Sequence, residues 1–308
     1  MTDDGLEWLL AGDPSVAWQV RRDLLGEAPA SWEPARRSVS TTGWGARLLD
    51  LRAADGTWGG GLYSPKWIST FYTLRLLTHF GLGPWDDRGA DSAALLLDRG
   101  VRDSGGVRLW KVDVTDTCVT AMLLSMALAF GLDHDPRCPR MVGFLLGEQM
   151  PDGGFNCEYR NGATHGSFHT TISVLEALSA WATRHPDTVV SESEASAREF
   201  LLVHRLFRSH RTGEVVRPAF TRFSFPPRWK YDVLRALDYF QSADAPWDER
   251  LREGLDLVHR KQTREGVWKL QNRHSGRTHF ELEAPGTPSR WNTLRALRVL
   301  RWVSRAKT

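Results

Sequence analysis

Apolar and polar residues alternate along this chain with the period of helices, and the helical stretches come in similar pairs. A short apolar core recurs as Thr73-Leu74-Arg75-Leu76-Leu77, Val174-Leu175-Glu176-Ala177-Leu178, Val233-Leu234-Arg235-Ala236-Leu237 and Thr293-Leu294-Arg295-Ala296-Leu297, with Met122-Leu123-Leu124 in the same slot of a further copy. The leucine slots fall at 74, 122, 175, 234 and 294, a period of 48 to 60 residues. A Gly-rich turn precedes most copies: Asp55-Gly56-Thr57-Trp58-Gly59, Asp103-Ser104-Gly105-Gly106, Asp152-Gly153-Gly154-Phe155 and the more worn Arg264-Glu265-Gly266-Val267-Trp268. Two helices per unit and no period-two alternation predict an all-α repeat array. An open solenoid needs polar ends. Here the first segment, Trp8 to Leu25, and the last, Trp291 to Val303, are amphipathic and rich in Trp or Leu, so first and last helices are expected to pack together. The expected architecture is an α/α toroid forming a single domain over residues 1–308, the second helix of each pair lining an inner barrel.

Composition adds little to this except in tryptophan. The chain of 308 residues is 41% hydrophobic and 25% charged, enough apolar content for a sizeable core, and carries 14 Trp against 5 Tyr. Its 40 Lys+Arg against 37 Asp+Glu leave a formal charge of +3, which argues against nucleic acid as the main partner. The longest apolar stretch, Thr120 to Leu132, is too short to span a bilayer and reads as a buried helix. The acidic start Met1-Thr2-Asp3-Asp4-Gly5 is unlike a signal peptide. Three cysteines, Cys118, Cys138 and Cys157, make no disulfide framework. A cytoplasmic protein is expected, in which each thiol is explained by packing, metal binding or chemistry.

Helix N-termini present unpaired N–H groups and partial positive charge, so the starts of the inner helices are where chemistry is expected. Asp116 and His169 each lie six residues before their leucine slots at 122 and 175. With Cys118 beside Asp116, a carboxylate, a thiolate and an imidazole on neighbouring helices make a three-ligand set with an open fourth position, the pattern of catalytic zinc. Cys157 and His165, just past the third turn, are the alternative ligands. Cys138, within Asp135-Pro136-Arg137-Cys138-Pro139-Arg140, reads as a loop thiol. From His204 to Lys230 the chain carries seven basic residues and one acid, Glu214, interleaved with Phe and Trp. Most of these read as a solvated connection. Arg228 and Lys230, which open an inner helix, and Arg290, one unit later, read as an anion-binding set. Trp67, Trp110, Trp229 and Trp291 sit at the same helix starts; indoles there pack between helices or, facing a cavity, sheathe an apolar ligand.

These repeats resemble those of the protein prenyltransferase β-subunit and squalene–hopene cyclase superfamily over most of the chain. The prenyltransferases hold zinc with an Asp-x-Cys pair at one inner-helix start and a His at the next; Asp116-Thr117-Cys118 and Phe168-His169-Thr170 match that pattern, with 53 residues from Asp to His. The resemblance implies a zinc-dependent transferase acting on an isoprenoid or similar apolar diphosphate. In that reading Arg108, Lys111, Arg228 and Lys230 neutralise the diphosphate and the indoles cover the tail. Asp113 stands where the family has a basic residue, and no second subunit is fused. The cyclase branch implies an alternative: Asp113-Val114-Thr115-Asp116 resembles the Asp-x-Asp-Asp motif of class II terpene cyclases, which act without zinc, metal-free or with Mg2+. Its third position is Thr115, so Asp113 or Asp116 would have to serve as the acid. A third reading is a non-catalytic toroid that carries a lipid or binds a protein partner on its Arg-rich face.

Overall fold

The Gly-rich turns close in one way wherever they occur. In each, a glycine at positive φ (Gly56 83°, Gly105 85°, Gly153 81°, Gly266 80°) donates its N–H to the carbonyl three residues back, on Ala53, Arg102, Met150 or Thr263. A Cβ on Gly105 would meet the Arg140 carbonyl oxygen at 2.1 Å, and one on Gly153 the Ser196 carbonyl at 2.5 Å, so no other residue fits those two corners. Two residues past the glycine, a buried backbone N–H needs an acceptor. It finds the hydroxyl of a threonine in the following helix: Trp58 to Thr70 at 3.1 Å, Val107 to Thr120 at 2.9 Å, Phe155 to Thr171 at 2.9 Å and Trp268 to Thr293 at 3.0 Å. This bond sets the rotation of each inner helix against its turn.

The computed structural model describes residues 3–109 and 115–306. Among them the helices run α1 (Asp3–Leu10), α2 (Pro14–Val20), α3 (Pro29–Arg37), α4 (Gly43–Leu49), α5 (Thr70–Phe80), α6 (Asp87–Gly100), α7 (Thr117–Ala129), α8 (Arg137–Gly147), α9 (Phe168–Ala182), α10 (Thr188–Val203), α11 (Val233–Ser242), α12 (Arg252–Arg260) and α13 (Arg290–Ala306), joined by short 3-10 and π turns. No strand ladder forms among the described residues, only isolated bridges. Among the described residues the fold is all-α.

Two compact units divide the chain: residues 48–201 with 276–279, and residues 1–47 with 202–275 and 280–308. In the first of these, α5, α7 and α9 are buried on nearly every face, whereas α6 and α8 bury one face only. Helix α7 packs against α5, α6, α8 and α9. The residue after the leucine slot supplies a cross-repeat ion pair, Arg75 to Glu176 at 3.0 Å, with Arg75 buried. In the other unit α11 packs on α12 and α13, and α13 packs on α2. Arg290 lies over the Trp8 ring at 4.5 Å and donates to its carbonyl at 3.0 Å, while Arg298 meets the Asp23 carboxylate and donates to Gln19 Oε1 at 2.5 Å. The first and last helical segments are thereby joined, as their apolar faces predict.

Candidate metal centre

Helix α7 begins at Asp116, whose side chain is its N-cap: Oδ1 accepts the N–H groups of Cys118 at 3.2 Å and Val119 at 3.4 Å. The cap turns the carboxylate back over the first turn, where the Cys118 thiol donates to the same oxygen at 3.2 Å. A second thiol reaches it from the third Gly-rich turn, Cys157 to Asp116 Oδ1 at 2.9 Å, and Cys157 Sγ also accepts the Cys118 N–H at 3.3 Å. The ligand atoms of Asp116, Cys118 and Cys157 all lie within 4.8 Å of one another, with Cys118 buried and the other two half-buried.

The loop that brings Cys157 in is held from two sides. Thr170, in the first turn of α9, lies 3.3 Å from Cys157 Sγ and accepts its N–H at 3.4 Å. On the other side Arg160 clamps the buried Glu148 carboxylate at 2.9 and 2.6 Å, and Thr117 donates to the other oxygen of Glu148 at 3.4 Å. The Cys118 thiol is held well above its ordinary pKa by its hydrogen bond with Cys157, by burial and by the negative charge of Cys157 and Asp116. A divalent cation among these groups reverses that balance, because it stabilises the thiolate.

The donor set suits zinc. Thiolates are soft ligands and a carboxylate a hard one, a mixture that borderline zinc accepts, and a tetrahedral ion with Zn–S near 2.3 Å and Zn–O near 2.0 Å keeps its ligand atoms about 3.5–3.8 Å apart. The observed separations of 2.9 and 3.2 Å between carboxylate oxygen and sulfur need only a small opening to reach that spacing.

An aromatic wall of the same unit lies within electrostatic reach. Tyr72 donates to the Tyr63 hydroxyl at 2.8 Å; burial pushes both phenols upward in pKa, and the negative charge of Cys118 and Asp116 adds to it. Trp67 stands edge-on to Tyr72 at 4.7 Å and Phe71 edge-on to Tyr63 at 5.4 Å.

Among the residues singled out in the sequence, Asp116 and Cys118 come together, and Cys157 joins them where the sequence reading favours His169. Successive residues of a helix are about 100° apart around its axis; α9 presents Thr170 to the cluster, and His169 stands one residue back. His165 is exposed on the loop, where its carbonyl accepts from Asn156. Cys138 is no loop thiol: it sits in the first turn of α8, fully buried, donating to the Leu132 carbonyl, and burial raises its pKa to about 12. Arg108 is half-buried just past the second turn, and Trp110, Lys111 and Asp113 lie outside the described residues. In the other unit Arg228, Lys230 and Trp229 precede α11, with Lys230 4.5 Å above the Trp229 ring. Arg290 is taken up by Trp8 and by Glu283, which accepts its backbone N–H at 2.7 Å; Trp291 is buried, stacked on Phe225 at 4.1 Å. The sequence reading passed over Tyr63 and Tyr72, although Tyr72 stands only two residues before the leucine slot at 74.

No protein-family model matches the sequence, and no curated protein matches it. Solved structures do. A protein from Actinoplanes is 18% identical over 95% of this chain and 90% of its own, with a TM-score of 0.48. The GH76 α-mannanase of Bacteroides thetaiotaomicron is 9% identical over 96% and 86%, with a TM-score of 0.49. The type II terpene cyclase MstE from Scytonema is 12% identical over 91% and 99%, with a TM-score of 0.38. Likeness at this level carries no activity across, and function is argued from the site.

Proposed function

We propose that this chain is a zinc-dependent enzyme of transferase type, acting on an isoprenoid or similarly apolar substrate. The observation behind the reading is the convergence of Asp116, Cys118 and Cys157 from two neighbouring repeats. Bound there, zinc would lower the pKa of an incoming thiol, hydroxyl or water and hold it as a nucleophile. The protein's own part is positional. Asp116 spends its cap bonds to fix one donor oxygen, Thr170 and the Glu148–Arg160 pair hold Cys157 in reach, and Tyr63, Tyr72 and Trp67 offer an apolar wall that keeps water from a hydrocarbon tail. The cyclase alternative needs a carboxyl that gives up a proton to an alkene. Asp116 Oδ1 instead collects four donors, which favours the ligand role.

Metal analysis tests the proposal. Chelator-treated and reloaded protein is expected to hold one zinc per chain. Cys118→Ala and Cys157→Ala are expected to lose it, and His169→Ala to weaken it less than either. Absence of stoichiometric zinc in the wild type, or zinc retained at the wild-type level in either cysteine variant, overturns it.

A further inference from the structure

Two of the three cysteines share one acceptor. Cys118, in the first turn of α7, and Cys157, on the loop after the third Gly-rich turn, stand 39 residues apart in sequence. Both thiols donate to Asp116 Oδ1, and the Cys157 sulfur also accepts the Cys118 N–H at 3.3 Å. The two sulfurs lie within 4.8 Å of each other. Cysteines join when their Cβ atoms come to roughly 3.5–4.5 Å and their sulfurs to about 2.05 Å. Cys157 sits in a turn rather than a helix, so rotation of its side chain with a small movement of the loop closes that gap. Cys138, by contrast, is enclosed in α8 with its thiol committed to the Leu132 carbonyl at 3.2 Å.

Access is unequal as well. Cys157 is half-buried, Cys118 is 8% exposed and Cys138 is fully buried. An oxidant therefore meets Cys157 first, and a sulfenic acid formed there has the Cys118 thiol as its neighbour. That is the arrangement of a reacting thiol beside a resolving one.

We infer that Cys118 and Cys157 are a redox modification site, at which a hydroperoxide joins them in a reversible disulfide. The Cys157 sulfur attacks a peroxide oxygen: an S–O bond forms, the O–O bond breaks, and hydrogen peroxide leaves behind one water and a sulfenic acid. The Cys118 sulfur then attacks the Cys157 sulfur. An S–S bond forms, the S–O bond breaks, and the hydroxide departs with the Cys118 proton as a second water. Two electrons pass from the sulfur pair to the peroxide, and a dithiol returns them and restores both thiols. Asp116 acts by position, since one oxygen of its carboxylate holds both sulfurs at the start of α7. A disulfide supplies no thiolate, so of the three donors Asp116 alone would remain, too few for zinc. The disulfide itself needs no metal; that it empties a zinc site rests on the zinc reading above.

The chelator-treated full chain is exposed to a small excess of hydrogen peroxide, quenched with catalase and unfolded in the presence of an alkylating reagent. Free thiols are expected to fall from three to one, the survivor being Cys138, and peptide mapping by mass spectrometry to find Cys118 joined to Cys157. Cys138→Ala should form the same cross-link, and Cys157→Ser should form none. Dithiothreitol should restore all three thiols. In zinc-loaded protein the metal is expected to leave in step with the thiols lost. Three free thiols after oxidation, a cross-link that includes Cys138, or Cys157 carried to sulfinic acid without a cross-link overturns the inference. Zinc that stays on the oxidised chain overturns the emptying of the site. A wild type that forms the disulfide but never holds zinc sinks the zinc reading and leaves this one standing; a wild type that holds zinc but forms no disulfide when stripped of it sinks this one alone.

Discussion

At the start of α7 the carboxylate of Asp116 caps the helix and accepts two backbone N–H groups; at the start of α11 Asp232 caps in the same way, accepting that of Arg235. Around Asp116 the remaining donors are two thiols, and the carboxylate is half-buried. Around Asp232 they are the N–H and hydroxyl of Ser224, and the carboxylate is buried outright. One capping device thus serves two different settings, a half-buried carboxylate between two thiols and a buried one held by a serine. The repeat supplies the position of a helix start; the neighbours that converge on it supply the chemistry.

That contrast can be broken by removing each cap. With chelator present, Asp232→Ala should cost about 3 kcal/mol in urea unfolding, because it leaves the buried Ser224 N–H and hydroxyl and the Arg235 backbone N–H without their acceptor. Asp116→Ala should cost about 1 kcal/mol, the loss of an N-cap alone. Equal costs would mean that burial does not separate the two caps. Asp116→Asn sharpens the difference, since asparagine keeps the cap: zinc affinity should fall by more than about tenfold, while the unfolding midpoint of the metal-free protein stays within experimental error.

A pH titration addresses the unit that contains Asp232. The folded-state pKa of His274, lowered to about 4 by burial and by the charge of Lys230, lies below its ordinary value of 6.5, so folding favours the neutral ring. Its contribution to stability is complete above pH 6.5 and is lost as pH falls from 6.5 toward 4. His274→Gln should flatten the pH dependence of unfolding in that window; an unchanged slope would remove His274 from the account. A last effect concerns a feature the two units share. Trp58 Nε1 donates to the Leu48 carbonyl at 2.6 Å and Trp268 Nε1 to the Val258 carbonyl at 2.7 Å, both indoles fully buried. Trp58→Phe and Trp268→Phe should each cost about 1–3 kcal/mol, and by similar amounts, from the buried acceptor left unsatisfied.

Much of this was legible in the residues. The period of the leucine slots and the Gly-rich turns predict paired helices, and the apolar faces near Trp8 and Trp291 predict that the ends pack together. Asp116 and Cys118, two residues apart at one helix start, are close by local geometry alone. Cys157 is different. Its approach depends on a loop shaped by Thr170 and by the Glu148–Arg160 pair, none of which is marked by spacing. The preference for His169 assumed that matching positions in two repeats face the same point; in α9 it is Thr170 that meets Cys157.

Arg228 and Arg290 make the same lesson in the other unit. Both stand at equivalent helix starts, yet Arg290 is drawn to Trp8 and Glu283 while Arg228 is buried beside α11. What the sequence determined by itself was local and periodic: where helices start, which face is apolar, which turn needs glycine and which aspartate caps. Only the tertiary structure decided which side chains meet across repeats, because those meetings depend on the rotation of each helix and the path of each loop, and a shift of one residue there exchanges one donor for another.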